Sequence, residues 1–111
     1  MGSFQLSKAK DGQFYFRLKA DNGETILSSE MYKAQTSALN GIESVKKNAG
    51  NAERYEKKTS TKNQPFFVLK AGNHEVIGTS EMYASESARD NGIASVMRTA
   101  PGAGTDDRTN A

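Results

Sequence analysis

The chain has 111 residues, 35% apolar and 25% charged, with a net charge of +2 from fifteen basic and thirteen acidic side chains. Such a length makes one domain with a modest core under a large polar surface. The absence of cysteine excludes a disulfide framework, cysteine-ligated zinc, iron–sulfur clusters and thiol catalysis.

In chain order the first signal is the alternation of Phe4 and Leu6 with polar neighbours, which predicts a half-buried strand. Asp11-Gly12 predicts a type I′ hairpin turn with positive φ at both central residues. Phe14, Phe16, Leu18 and Ala20 then alternate with Tyr15, Arg17 and Lys19, a second strand with a defined apolar face. Asp21-Asn22-Gly23 predicts another turn, and residues 24–29 a third strand. After Tyr32 the period changes: Ala38, Ile42 and Val45 share one helical face. Thr36 or Ser37 is the expected cap. Gly41 lies inside this helix at a cost of about 1 kcal/mol relative to alanine, which predicts a close approach of the helix backbone to the sheet.

A shift of 51 residues then reproduces the pattern without a gap. Phe16, Leu18, Lys19 and Ala20 lie over Phe67, Leu69, Lys70 and Ala71. Ser29-Glu30-Met31-Tyr32 lies over Ser80-Glu81-Met82-Tyr83, and Asn40-Gly41-Ile42 over Asn91-Gly92-Ile93. Self-similarity at a fixed period marks a duplicated supersecondary unit. The expected fold is α+β: a tandem β3-α duplication, pseudo-twofold symmetric, with antiparallel sheets and one helix per unit. The repeats span 4–48 and 55–99 within a single domain covering 1–100. Residues 48–53 read as the connector. The tail, 101–111, has no apolar period and is expected to be disordered. In unit two Pro65 replaces Phe14, which places it at a strand start or an edge. Phe66 and Val68 replace Tyr15 and Arg17 and make the outward face greasier.

These blocks, over residues 4 to 98, resemble the YegP-like proteins, small bacterial proteins of unknown function. The resemblance implies a β3-α unit and carries no activity, cofactor or catalytic residue to this chain.

No phosphate loop, nucleophile elbow or metal spacing is present in the sequence. His74 is the only histidine and reads as an exposed turn residue. Lys57, Lys58 and Lys62 read as a solvated loop, because phosphate binding needs several convergent charges. The duplicated Glu30 and Glu81, with Tyr32 and Tyr83, could face each other across a dyad and do acid–base work. A structural role at the strand-to-helix corner, with the glutamate bonded to backbone, is the expectation preferred to that one. The chain is therefore read as a non-enzymatic binding or protein-interaction module, with no cofactor and no metal. Its candidate binding surface is Tyr15, Lys19, Phe66, Val68 and Lys70. The alternative is a nucleic-acid-binding module on the polar face of the second strands, where aromatic side chains could stack bases. A monomer is expected, since both units share one chain. A cytoplasmic location is expected too: the N-terminus shows no basic-then-apolar leader, and no run reaches the roughly 20 apolar residues of a membrane span.

Overall fold

The computed structural model describes residues 2–109. The strands are β1 (Ser3–Lys8), β2 (Phe14–Lys19), β3 (Thr25–Ser28), β4 (Tyr55–Thr59), β5 (Pro65–Lys70), β6 (Val76–Thr79) and β7 (Gly104–Asp107). The helices are α1 (Gln35–Asn48) and α2 (Glu86–Thr99). The two units build one sheet rather than two, in the order β4-β5-β6-β3-β2-β1-β7. Neighbours are antiparallel except β7, which runs parallel to β1. No described helix is long and apolar enough to cross a membrane.

All four hairpins close the same way. Gly12 N–H donates to Ala9 O and Gly23 N–H to Ala20 O, while Asn63 and His74 make the same bonds to Ser60 and Ala71. Only the last turn residue takes a positive φ: Gly12 at 87°, Gly23 at 83°, Asn63 at 68° and His74 at 71°. Asp11 does not, so the expected type I′ turn is corrected. Its carboxylate instead accepts from the Gln13 N–H across Gly12, the one left-handed residue of the turn. His74 is an exposed turn residue in the place of Gly23.

Between strand and helix, the expected backbone bond from the glutamate is made by the serine before it. Ser29 Oγ accepts from Phe16 N–H and donates to the Glu30 carbonyl, and Ser80 does the same with Phe67 and Glu81. Tyr32 exchanges both backbone bonds with Phe14. Tyr83 keeps only the bond to the Pro65 carbonyl, because proline has no N–H to return. Pro65 thus opens β5, as expected. Helix α1 has Ala34 at its N-cap position and no side-chain cap, so neither Thr36 nor Ser37 caps it. Helix α2 is capped by Ser85, which accepts from Ala88 N–H.

Each helix glycine sits over an aromatic stack. Phe16 and Tyr32 stack at 6.3 Å, as do Phe67 and Tyr83. A Cβ on Gly41 would lie 2.6 Å from the Tyr32 hydroxyl and 3.0 Å from the Phe16 ring. On Gly92 it would collide with the Tyr83 hydroxyl. The close approach is therefore to these side chains, and it recurs in both units.

The units meet at β3 and β6, where Ser28 stands opposite its own repeat equivalent, Thr79. The pseudo-twofold axis passes through that pair. Both helices lie on one face and reach across it, α1 against β6 and α2 against β3. A single core results, from Phe4, Leu6, Phe16, Leu18 and Leu27 through Ile42 and Val45 to Phe67, Leu69 and Val96. Beside the axis the repeat breaks its own symmetry. Leu27 is fully buried, and its equivalent is Gly78, where a Cβ would lie 2.5 Å from the Leu27 side chain. Two leucines cannot share that space.

The expected disordered tail is corrected. A short 3-10 turn (Ala100–Gly102) buries Ala100 and Ala103 in the core, and β7 extends the sheet beside β1. The backbone hydrogen bonds of an open sheet edge outweighed the missing apolar period. Asn110 and Ala111 lie outside the described residues. The expected connector also changes: Asn48 still belongs to α1, and residues 52–54 form a 3-10 turn. There the Tyr55 hydroxyl donates to the Ala49 carbonyl, closing the C-terminal end of α1.

Two outcomes are expected from this packing. Gly78→Leu should cost about 1–3 kcal/mol through overpacking, and Leu27→Gly still more through the cavity it leaves. The double exchange, Leu27→Gly with Gly78→Leu, should recover most of the loss, because the two sites are related by the axis; urea unfolding of the four proteins measures this coupling. Burial of Tyr55 pushes its phenol well above the ordinary range. The folded state then holds a proton that the unfolded chain loses near pH 10, so stability is full below about pH 10 and falls above it. Tyr55→Phe should cost about 1 kcal/mol at neutral pH and flatten the alkaline loss, as read from unfolding midpoints up to about pH 11.

Candidate functional site

The sequence-derived surface lies on the face of the sheet that carries no helix. Residues 15, 17 and 19 of β2 alternate with the buried Phe16 and Leu18, and residues 66, 68 and 70 of β5 with Phe67 and Leu69. Tyr15, Lys19, Phe66, Val68 and Lys70 therefore share one face, but they are not brought together. Three strand spacings separate β2 from β5, about 14 Å. Because these strands are antiparallel, Tyr15 and Phe66 lie at opposite corners, about 20 Å apart. Val68 is only 5% exposed. Lys70 is paired with Glu56, and this hydrogen bond holds the Glu56 carboxyl below its usual range. The Arg17 guanidinium lies 5.2 Å from the Tyr15 ring centroid. Beside that pair, Lys8 and Lys10 border a shallow groove of about 400 Å³. Unit two has Thr59, Thr61 and Val68 where unit one has Lys8, Lys10 and Arg17, so this groove belongs to unit one alone.

Glu30 and Glu81 do not face each other. From the Ser28–Thr79 pair they lie two residues onward in opposite directions, about 13 Å apart along the strands. Glu81 instead lines, together with Glu24 of unit one, a cleft of about 390 Å³ between the units. One wall comes from the second turn and third strand of unit one, with Asn22, Glu24 and Ile26. The other comes from the corner and helix of unit two, with Glu81, Met82, Tyr83, Asn91 and Ser95. Every lining residue except Thr25 and Ala88 is identical to the residue 51 positions away.

Some of those identities have a structural explanation. Asn22 Oδ1 accepts from Glu24 N–H, as Asn73 does from Glu75, so the asparagine shapes the turn. Gly92 makes room for Tyr83, and Ile26 is core. Glu24, Glu81, Met82 and Asn91 have no such account. Both glutamates and Asn91 are exposed, Met82 is 44% exposed and its equivalent Met31 51%. Neither glutamate carboxylate makes a hydrogen bond or ion pair with another described residue. Burial raises the Tyr83 phenol, and the negative charges of Glu81 and then Glu24 raise it further. Tyr83 thus stays protonated in a cleft that both carboxylates line. The cleft can accept and donate hydrogen bonds and present negative charge beside a thioether and a ring. Among the described residues no group of three or more His, Cys, Asp or Glu could hold a metal ion.

Sequence reading missed this cleft because its walls come from different units. The signal was present in part: exposed, polar, identical residues need a reason other than packing. That reason is visible only when Glu24 and Glu81 are seen on the walls of one cleft.

Comparison with known proteins agrees with the duplication. The family model described as "Domain of unknown function (DUF1508)" matches twice, over residues 9–56 and 60–107. The UPF0339 protein YegP of Yersinia pestis is 58% identical over 98 residues, covering 88% of each chain. YegP of Escherichia coli (strain K12) is 57% identical over 95 residues, covering 86% of each. The solution NMR structure of a UPF0339 protein from Shewanella oneidensis superposes with a TM-score of 0.93 at 50% identity, covering 98% of this chain and 92% of that one. The solution NMR structure of yegP from E. coli, described as a protein of unknown function, also gives 0.93, at 51% identity and 99% and 95% coverage. With two family matches spanning most of its length and relatives this similar, the chain belongs to the DUF1508 (UPF0339, YegP-like) family as a tandem two-unit member.

Proposed function

We propose that this chain is a non-enzymatic binding module whose ligand site is the cleft between the units, present twice by pseudo-symmetry. One observation carries the reading: exposed side chains that neither pack nor cap are the same in both units, and they converge across the unit boundary. The second cleft would use Asn73 and Glu75 with Glu30, Met31 and Asn40. Clefts between packed elements, with a few convergent polar groups, are common ligand sites. The helix-free face supports a nucleic-acid reading less well, because aromatic side chains about 20 Å apart cannot stack neighbouring bases. In this reading the protein acts as a monomer, since the contact a dimer of single units would make is internal. It acts in the cytoplasm, in keeping with a sequence free of cysteine.

A variant separates binding from folding. Glu30→Gln, Glu81→Gln, Asn40→Ala and Asn91→Ala combined should change stability by no more than about 0.5 kcal/mol per site, as surface substitutions do. In a two-dimensional amide titration against pooled metabolites, nucleotides, oligonucleotides and short peptides, the parent chain should shift at Glu24, Met82 and Asn91 with at least one pool, and the variant should not. A variant that loses several kcal/mol would show that these residues serve the fold, and an unresponsive cleft in the parent chain would count equally against the proposal.

A further inference from the structure

The two outer edges of the sheet are repeat equivalents, and only one is completed. In unit one, β1 is covered by β7: Gln5 pairs with Asp106 and Leu6 with Asp107, and Arg108 N–H donates to the Leu6 carbonyl at 2.8 Å. In unit two the corresponding strand, β4, ends the sheet among the described residues. The repeat maps Leu6 onto Lys57, so the backbone groups of Lys57 are the ones left facing outward.

Burial shows the same asymmetry from the helix side. Phe4, Leu6 and Ile42 are 0%, 0% and 1% exposed beneath the segment that enters β7, where Ala103 is 3% exposed. Their equivalents Tyr55, Lys57 and Ile93 are not fully buried. With Ala52 and Asp90 they line a groove of about 290 Å³ beside the bare edge. Charge selects the occupant. β4 and its flanks carry Arg54, Lys57, Lys58 and Lys62 against Glu53 and Glu56. Lysines on a bare edge discourage other strands from adding. A carboxylate at the position that Asp107 holds in β7 would turn that repulsion into an ion pair with Lys57, which now pairs with Asp90 at 3.2 Å.

We propose that the free edge of β4 is a docking site for an extended acidic peptide segment of a partner protein. It adds parallel to β4 as an eighth strand, with a small apolar residue seated in the groove between Tyr55 and Ile93. Main-chain hydrogen bonds give such strand addition its affinity, and side-chain pockets its specificity. The surface is separate from the inter-unit cleft, so either proposal can fail without the other.

The probe is the chain's own template, an acetylated and amidated peptide copying Ala103–Thr109, titrated into the full isotope-labelled chain. Saturable amide shifts are expected at Tyr55–Thr59 and at Ile93. Replacing both aspartates of the peptide by asparagine should weaken half-saturation by about threefold, the scale of an exposed ion pair, and Lys57→Glu by about tenfold. The Lys57→Glu chain must keep a dispersed spectrum, and Lys58→Glu provides a second variant if it does not. Equal binding of the asparagine peptide, shifts confined to β1 and β7, or no shift at millimolar peptide would each overturn the proposal. So would sedimentation of the chain alone as a dimer with β4 amides protected, since the edge would then belong to a second copy.

Discussion

Everything in this structure hangs on a strand junction one registered pair wide. β3 and β6 have four residues each and share only Ser28 opposite Thr79 as a paired position. So short a ladder cannot hold the two halves of the sheet together through backbone bonds alone, given the modest net worth of each. The helices complete the joint by crossing it, each lying against the third strand of the other unit. Neither unit then has a closed core of its own. A lone three-stranded sheet with one helix would leave exposed the part of each helix that now lies against the third strand of the other unit. The inter-unit cleft follows from the same crossing, because it is the gap between a helix of one unit and the strand of the other on which it rests.

Joining both units in one chain lets equivalent positions diverge, and they diverge where symmetry would be costly. Leu27 against Gly78 is a large–small pair at the axis that two identical subunits could not make. Pro65 is tolerated because the bond it forgoes with Tyr83 lies at the strand's first residue. β7 covers the edge of unit one while β4 keeps lysines on the other. The duplicated features are of a different kind: the Ser29 and Ser80 hydroxyls that bond the strand-to-helix corner, the Phe16–Tyr32 and Phe67–Tyr83 stacks, and the glycines that let helices ride over them. Each of these is a local steric or hydrogen-bonding requirement that each unit meets by itself.

Much of this was legible beforehand. Period-2 alternation around Phe16 and Phe67, and the shift to i, i+3, i+4 spacing at Ala38, Ile42 and Val45, give the elements directly. The paired glycines announced a close approach to the sheet correctly, although the nearest atom is a tyrosine hydroxyl from the strand-to-helix corner and the sheet's Phe16 or Phe67 ring lies just beyond it. Errors fell where local signals compete. Asp11-Gly12 suits more than one turn type, and the flanking strands here select the one with a single positive φ. Gly104-Thr105-Asp106-Asp107 has no apolar pattern, since its order comes from the edge of β1. The strand-two side chains were assigned to one face rightly, but their separation depends on strand order, which alternation does not encode.

By itself, then, the sequence determined the repeat, the unit of three strands and a helix, and the faces of each strand, because these follow from side-chain periodicity and backbone sterics within a few residues. Tertiary structure alone decided that the units fuse into one sheet, that a polar tail becomes a strand, and that Glu81 shares a cleft with Glu24 and not with Glu30. These depend on which distant edges and faces are left unsatisfied once the local elements exist. No local pattern records that, because hydrogen-bonding edges and buried faces find their partners through the free energy of the whole fold.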